Sequence, residues 1–193
     1  MSARFQALTN KILPVLLGAL LVIGGLYFAF LYYAPNTPNL PVIGTTNIDL
    51  DTTDDADDTR NRIQIERLGL EVPYFSGEST VLNNGAWHRF PENGDPENGG
   101  NFVLAAHRFE LGLTPNQTKQ KSPFYHIDDL QNGDEIKVMY DGKWYTYIVS
   151  KKYEVPPTAT FIENRSTEPK LTLYSCSLEG SAAGRFVIEA RPT

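Results

Sequence analysis

LTLYSC, Leu171 to Cys176, is the stretch from which the rest of the chain is read. Its apolar and small polar residues alternate as in a strand with two unlike faces. It ends on the only cysteine in 193 residues. A few residues later GRFVIEA, Gly184 to Ala190, reads as a second strand, and SLEGSAAG between them as a short connecting loop. A strand–loop–strand unit sets Cys176 and Arg185 at the same end of neighbouring strands. Two readings of Cys176 stand at this point. It is a buried small side chain, as most free cysteines are, or it is a reactive thiol.

Working outward, most of the chain from Thr59 onward is β-rich. NRIQIERLGLEVPYF alternates around Ile63, Ile65, Leu68, Leu70 and Val72, and NFVLAAH, Asn101 to His107, is a compact apolar run expected of a buried strand. Glu135–Tyr140 and Lys143–Val155 are two strand-like runs split by Asp141-Gly142, which predicts a type I′ hairpin. A short helix is predicted within Ser122 to Asp134, capped by Ser122 and stopped near Gly133. Many short strands with turns between them predict a mainly β domain, a sandwich or a closed barrel. Leu111 to Ser122 and Pro156 to Lys170 read as long loops, the places where binding sites usually sit.

The N-terminal part is different. Ile12 to Tyr33 carries no charged residue, and at about 1.5 Å per residue it reaches roughly 33 Å, enough to cross a bilayer core. A cleaved signal peptide is the rival reading. Its apolar part usually holds about 7–15 residues and ends at a small-residue site, whereas this run is longer and only Ala34 offers such a site. Arg4 and Lys11 precede the span and the next basic residue after it is Arg60, so the flanking charge predicts a cytoplasmic tail at 1–11, an anchor at 12–33 and an extracellular remainder. Residues 34–58, with Pro35, Pro38, Pro41 and a run of aspartates, read as an extended tether, followed by one domain at 59–193.

Composition excludes several classes. A net charge of −6 argues against a nucleic-acid binder. One cysteine rules out an internal disulfide and cysteine-cluster zinc or iron–sulfur sites. His88, His107 and His126 lack the close spacing of metal ligands, and the aspartate run lacks the glycine and terminal glutamate of an EF-hand loop.

The side chains that carry chemistry are Cys176, His107 and Arg185, each at a predicted strand end. A thiolate attacks an acyl carbon, a histidine protonates a leaving amine, and an arginine donates to an oxyanion or holds a substrate backbone. The bland alternatives are a core histidine and a surface arginine in an ion pair. Arg108 and Arg191 compete for the arginine role, but alternation turns Arg108 away from the His107 face, and Arg191 lies at the far end of its strand.

These residues resemble the sortases, membrane-anchored cysteine transpeptidases. LTLYSC is similar to the family's TLxTC motif, NFVLAAHRF to its histidine strand, SPFYHIDDLQNGDEIKV to the segment that follows, and GRFVIEA to its final arginine strand. Ser175 stands where threonine is usual, and Ala106 where glycine is common. The resemblance implies a closed β-barrel of about eight strands with short helices. It implies Cys176 as nucleophile, His107 as general acid or base, and Arg185 as oxyanion or substrate-positioning group. It further implies substrate contacts at Thr172, Ser175, Ala106 and the loop Pro156–Lys170. The expected partners are surface proteins bearing an LPxTG-like sorting signal, an amine acceptor (a peptidoglycan precursor or a pilin lysine), and the lipid bilayer through residues 12–33. No cofactor is required by these residues; some relatives use calcium, and no clear ligand set for it stands in the sequence. Other extracytoplasmic cysteine acyl-transferases fit less well. An L,D-transpeptidase would carry His-Gly before its cysteine region, where Tyr174-Ser175 stand, and a papain-like enzyme would place its cysteine before its histidine. A non-enzymatic surface barrel with a buried Cys176 is the remaining alternative.

Overall fold

Asp141 and Gly142 turn the chain with both residues at positive φ, 47° and 76°, as a type I′ hairpin requires. Glycine takes that conformation without a Cβ clash, and aspartate is among the residues that tolerate it best. The turn joins β6 (Glu135–Tyr140) to β7 (Lys143–Val155), with Tyr140 opposite Lys143.

The computed structural model describes residues 3–37 and 60–193; the aspartate run and most of the expected tether lie outside the described residues. The remaining strands are β1 (Arg62–Ile65), β2 (Leu70–Phe75), β3 (Ala86–Arg89), β4 (Gly94–Asp95), β5 (Gly99–Ala105), β8 (Lys170–Ser177) and β9 (Gly180–Pro192). Their order is β3-β2-β1-β6-β7-β9-β8-β5-β4, and β3 also pairs with β5. That extra pairing closes eight strands into a barrel and leaves β4 as a two-residue appendage. Closure removes exposed sheet edges. Between the two architectures that the strand pattern allowed, the structure is the barrel.

The barrel is filled by one side of each strand. Ile63, Phe102, Leu104, Ile136, Val138, Leu171, Leu173 and Ile188 are all essentially inaccessible and pack into one cluster. Phe124, Ile127 and Leu130 plug it from the long segment after β5.

That segment corrects two expectations. No helix starts at Ser122: its hydroxyl accepts from the Glu110 N–H at 2.9 Å, and only a 3-10 turn forms at Ile127–Asp129. The α-helix lies upstream instead, α2 at Pro115–Lys121, inside a stretch expected to be loop. Its signals are Thr114, whose side chain accepts from the Gln117 N–H, and Pro115 at the first helical position. The connection after Cys176 is likewise shorter than expected, because β9 already begins at Gly180.

The apolar segment forms α1, Ala3–Tyr33, longer than the expected anchor. Its C-terminal end is not free. Residues 34–36 form a 3-10 turn in place of an extended tether, and Leu31 and Ala34 are buried against the domain.

His88 is a polar side chain inside this frame, 3% exposed, with Nδ1 3.4 Å from the Ser76 hydroxyl and Nε2 3.3 Å from the Gly94 carbonyl. Burial pushes its pKa below the ordinary value, against the smaller upward pull of the Gly94 carbonyl, Asp95 and Glu92. The unfolded chain then binds the proton more readily, so stability is full above about pH 6.5 and falls as pH drops through the window below it. Thermal melts from neutral pH to about pH 5 should show a falling Tm. His88→Gln should flatten that part of the profile; an unaltered slope would place the effect elsewhere.

Candidate active site

The two strand pairings on β8 fix the geometry. β5 runs parallel to β8 with Ala105 opposite Tyr174, and the Ala106 N–H continues the ladder to the Tyr174 carbonyl at 3.2 Å. One register step further, His107 comes level with Cys176. On the other side β9 runs antiparallel with Arg185 opposite Cys176. Cys176 and Arg185 therefore stand side by side at one end of β8 and β9, and His107 lies two residues past the adjoining end of β5.

Side-chain alternation decides the face. Leu104, Ala106, Leu173 and Ile188 point into the barrel. Val103, Ala105, Tyr174 and Val187 form a second cluster on its outer surface, together with Val155 and Ile162. His107, Cys176 and Arg185 fall at every second position from this outer set and so share its face. All three are half-buried, and Cys176 is a free thiol. The six residues of that cluster are themselves buried, at 8% exposure or less, so the accessible part of this face is its end, where the three half-buried polar side chains stand. Enclosure is not needed: concavities of about 490 Å³ beside Gln64 and Lys137, and about 460 Å³ beside Lys119 and His126, lie away from Cys176.

Arg185 is held by a bulge in its own strand. Cys176 pairs with Arg185, but Ser177 pairs with Gly180, so the residues between Gly180 and Arg185 loop out beside the thiol. Arg185 Nη1 donates to the carbonyls of Ser181 at 2.7 Å and Gly184 at 2.9 Å. A guanidinium has five donors, so Nη2 and Nε remain for an oxygen in the groove.

The loop from Pro156 to Lys170 packs over the outer face of β5 and β8 through contacts that the sequence did not signal. It turns through a 3-10 segment at Thr160–Glu163 that buries Ile162 and leaves Phe161 exposed. Asn101, fully buried, donates to the carbonyls of Ile162 and Asn164 at 2.9 and 2.8 Å and accepts from the Thr172 hydroxyl at 2.6 Å. Glu163 accepts from the Tyr174 hydroxyl and pairs with Arg89 Nε at 2.8 Å. Burial, then the bond to Glu163, raises the Tyr174 pKa and keeps it a donor. Asn101 was the one legible clue, a polar residue opening an apolar strand; Arg89 and Glu163 meet only through the fold. Asn101→Ala should strand two carbonyls and a hydroxyl, costing about 1–3 kcal/mol. Denaturant titration should show that loss, and proteolysis within 156–170 should quicken; unchanged loop protection would contradict the pinning role.

Three of the expected substrate contacts are buried. Thr172, at 0% exposure, spends its hydroxyl on Asn101. Ser175, at 1%, faces inward and bonds the Cys176 carbonyl at 3.2 Å, and Ala106, at 5%, belongs to the barrel core. All three form part of the wall. Arg108 is buried on the inward side, paired with Asp128 at 2.7 Å and stacked 5.4 Å from the Phe186 ring centre, as alternation required. Arg191 is exposed at the far end of β9. Among the described residues no group of three or more His, Cys, Asp or Glu side chains is placed to hold a metal.

A family model for the sortase domain matches residues 63–193, well over half of the chain. The chain belongs to the sortase family. No curated protein matches it significantly. Among solved structures, the sortase domain is similar to the sortase D5 transpeptidase of Clostridium perfringens, at 26% identity and TM-score 0.57, covering 69% of this chain and 78% of that one. It shares its fold with sortase A of Listeria monocytogenes, at 20% identity and TM-score 0.59 over 69% and 86% of the two chains. It also shares it with sortase E1 of Streptomyces coelicolor, whose structure holds a tripeptide in the active site, at 20% identity and TM-score 0.58 over 70% and 89%.

Proposed function

We propose that this sortase is a cysteine transpeptidase that cleaves an LPxTG-like C-terminal sorting signal and passes the protein to an amine at the cell surface. One observation carries the reading: Cys176 and Arg185 pair on the outer face of the barrel wall, and the register of β5, continued past Ala105, brings His107 level with them. In the reaction, Cys176 Sγ bonds to the carbonyl carbon of the signal's threonine. The oxygen takes up negative charge, which Arg185 meets as a donor unless it instead holds the substrate backbone. The tetrahedral centre collapses, the threonine–glycine bond breaks, and His107 gives the leaving amine its proton. A thioester remains. An incoming amine, from a peptidoglycan precursor or a pilin lysine, loses a proton to His107 and displaces Cys176, forming a new amide. These steps use the chain's own side chains and no cofactor.

Residues 12–33 serve as a single membrane anchor in this reading, with residues 1–11 in the cytoplasm and the catalytic domain outside. The length of α1, its apolar composition and the basic residues before it support this. Incubating the enzyme with sorting peptides that vary around LPxTG, and with candidate amines, should give a new amide product by mass spectrometry. Hydrolysis without transfer to any amine, or no cleavage of any such peptide, would count against the reading.

A further inference from the structure

Leu113 is the most exposed large apolar side chain outside α1 among the described residues, at 81%, and Leu111 beside it is 44% exposed. Both precede α2, in the segment that follows His107. The same segment touches α1. The Tyr27 hydroxyl donates to the Leu113 carbonyl at 2.6 Å, and the Tyr32 ring lies 5.4 Å from that of Phe109. Lys119 Nζ donates to the Thr37 carbonyl at 2.6 Å, and His126 Nε2 lies 3.3 Å from the Pro35 carbonyl. Tyr27 stands before the end of α1 at Tyr33, about 9 Å along the axis at 1.5 Å per residue. Leu113 thus sits beside the last turns of the anchor, below the level where the chain leaves it.

We propose that Leu111 and Leu113 insert into the outer interface of the same bilayer that α1 spans, so that the catalytic domain stands on the membrane through a second, non-spanning foot. The proposal rests on reading α1 as a membrane anchor. The backbone of the foot is built for an environment poor in water. The Gly112 N–H donates to the Thr118 hydroxyl at 3.0 Å and the Leu113 N–H to Gln117 Oε1 at 3.0 Å, while the Leu113 carbonyl is taken by Tyr27. These backbone groups would otherwise be costly in a lipid interface. Gly112 makes the tight packing possible, since a Cβ there would come within 2.6 Å of the Gln117 side chain and the Thr118 nitrogen. What faces outward is two leucines, with the Gly112 and Leu113 amides and the Leu113 carbonyl already paired, and with the exposed Glu110 next to Leu111. Tyr27, Tyr32 and Tyr33 are aromatic residues of the kind enriched at that depth. His107 lies only a few residues away, so the foot fixes the height and tilt of the groove over the lipid surface.

The test uses the full chain with Cys176→Ala, reconstituted into vesicles of equal parts phosphatidylglycerol and phosphatidylethanolamine. A nitrobenzoxadiazole probe is attached at Leu113→Cys or, separately, at Leu20→Cys in the span. Lipids spin-labelled near the headgroup or near the chain end quench each probe according to depth. Interfacial insertion reaches roughly 5–10 Å, so the probe at 113 should emit to the blue and be quenched about twofold more by the shallow label than by the deep one. Leu111→Asp should weaken that quenching. A probe at 20 quenched by the deep label, with one at 113 left in water, overturns the foot while keeping the anchor. Failure of both overturns the anchor itself. A blue shift at 113 that depends on protein concentration and ignores the spin labels assigns the leucines to a contact between copies and also overturns the proposal.

Discussion

Cys176→Ala should leave the fold intact and reduce cleavage of an LPxTG-like peptide below detection. The thiol is half-buried on the outer face, outside the barrel cluster, so removing one sulfur opens no core cavity. Thermal melting of the variant should therefore match the parent closely. Chemistry is a different matter, because no other cysteine exists to take over, and covalent catalysis has no route without its nucleophile. Ser177 does not substitute, since it sits across the bulge from Cys176 and is buried. Turnover of the alanine variant at parental rates, measured by peptide cleavage, would remove Cys176 from the mechanism.

His107→Ala and Arg185→Ala should also cripple the enzyme, by different amounts and in different ways. Loss of a positioned general acid costs about 10²–10⁴-fold. Loss of one oxyanion donor costs about 10²–10³-fold in kcat. Arg185 has a second duty, binding the Ser181 and Gly184 carbonyls of its own bulge. Arg185→Lys separates the two. A lysine can still reach those carbonyls but lacks the planar fork, so the bulge should survive while kcat stays low. Recovery of full activity in the lysine variant would mean that Arg185 acts through the bulge alone. For His107, the alanine variant's rate should fall more steeply than the parent's as the leaving amine becomes more basic, because the departing nitrogen then lacks its proton donor; equal dependence in parent and alanine variant would contradict that role.

Much of the barrel is readable in the sequence because strand periodicity and turn chemistry are local. β6, the Asp141-Gly142 turn and β7 follow from a few consecutive residues. Cys176, His107 and Arg185 are legible for a related reason: each sits at the end of an apolar run, where the side chain leaves the core. The misplaced helix has a local cause too. Phe124, Ile127 and Leu130 repeat at every third residue, which reads as helical, yet the chain winds tightly to set all three into the barrel mouth. Thr114-Pro115 signalled the real helix within what reads as polar loop. The contacts that hold the Pro156–Lys170 loop over the outer face were scarcely legible, Asn101 being the one clue. Arg89, Asn101, Glu163 and Tyr174 come from four separate segments, and no periodicity encodes their meeting. Thr172 and Ser175 lie on opposite sides of β8, and both are buried, so the motif residues beside Cys176 serve the wall on either face.

The most direct test is the covalent intermediate. The folded domain, mixed with an LPxTG-like peptide and quenched in acid before an amine is added, should gain the mass of the peptide fragment ending in threonine. Fragmentation should place that mass on Cys176, and the adduct should vanish when an amine is supplied. Cleaved peptide with no adduct on Cys176, or an adduct that persists in the Cys176→Ala variant, would contradict the account.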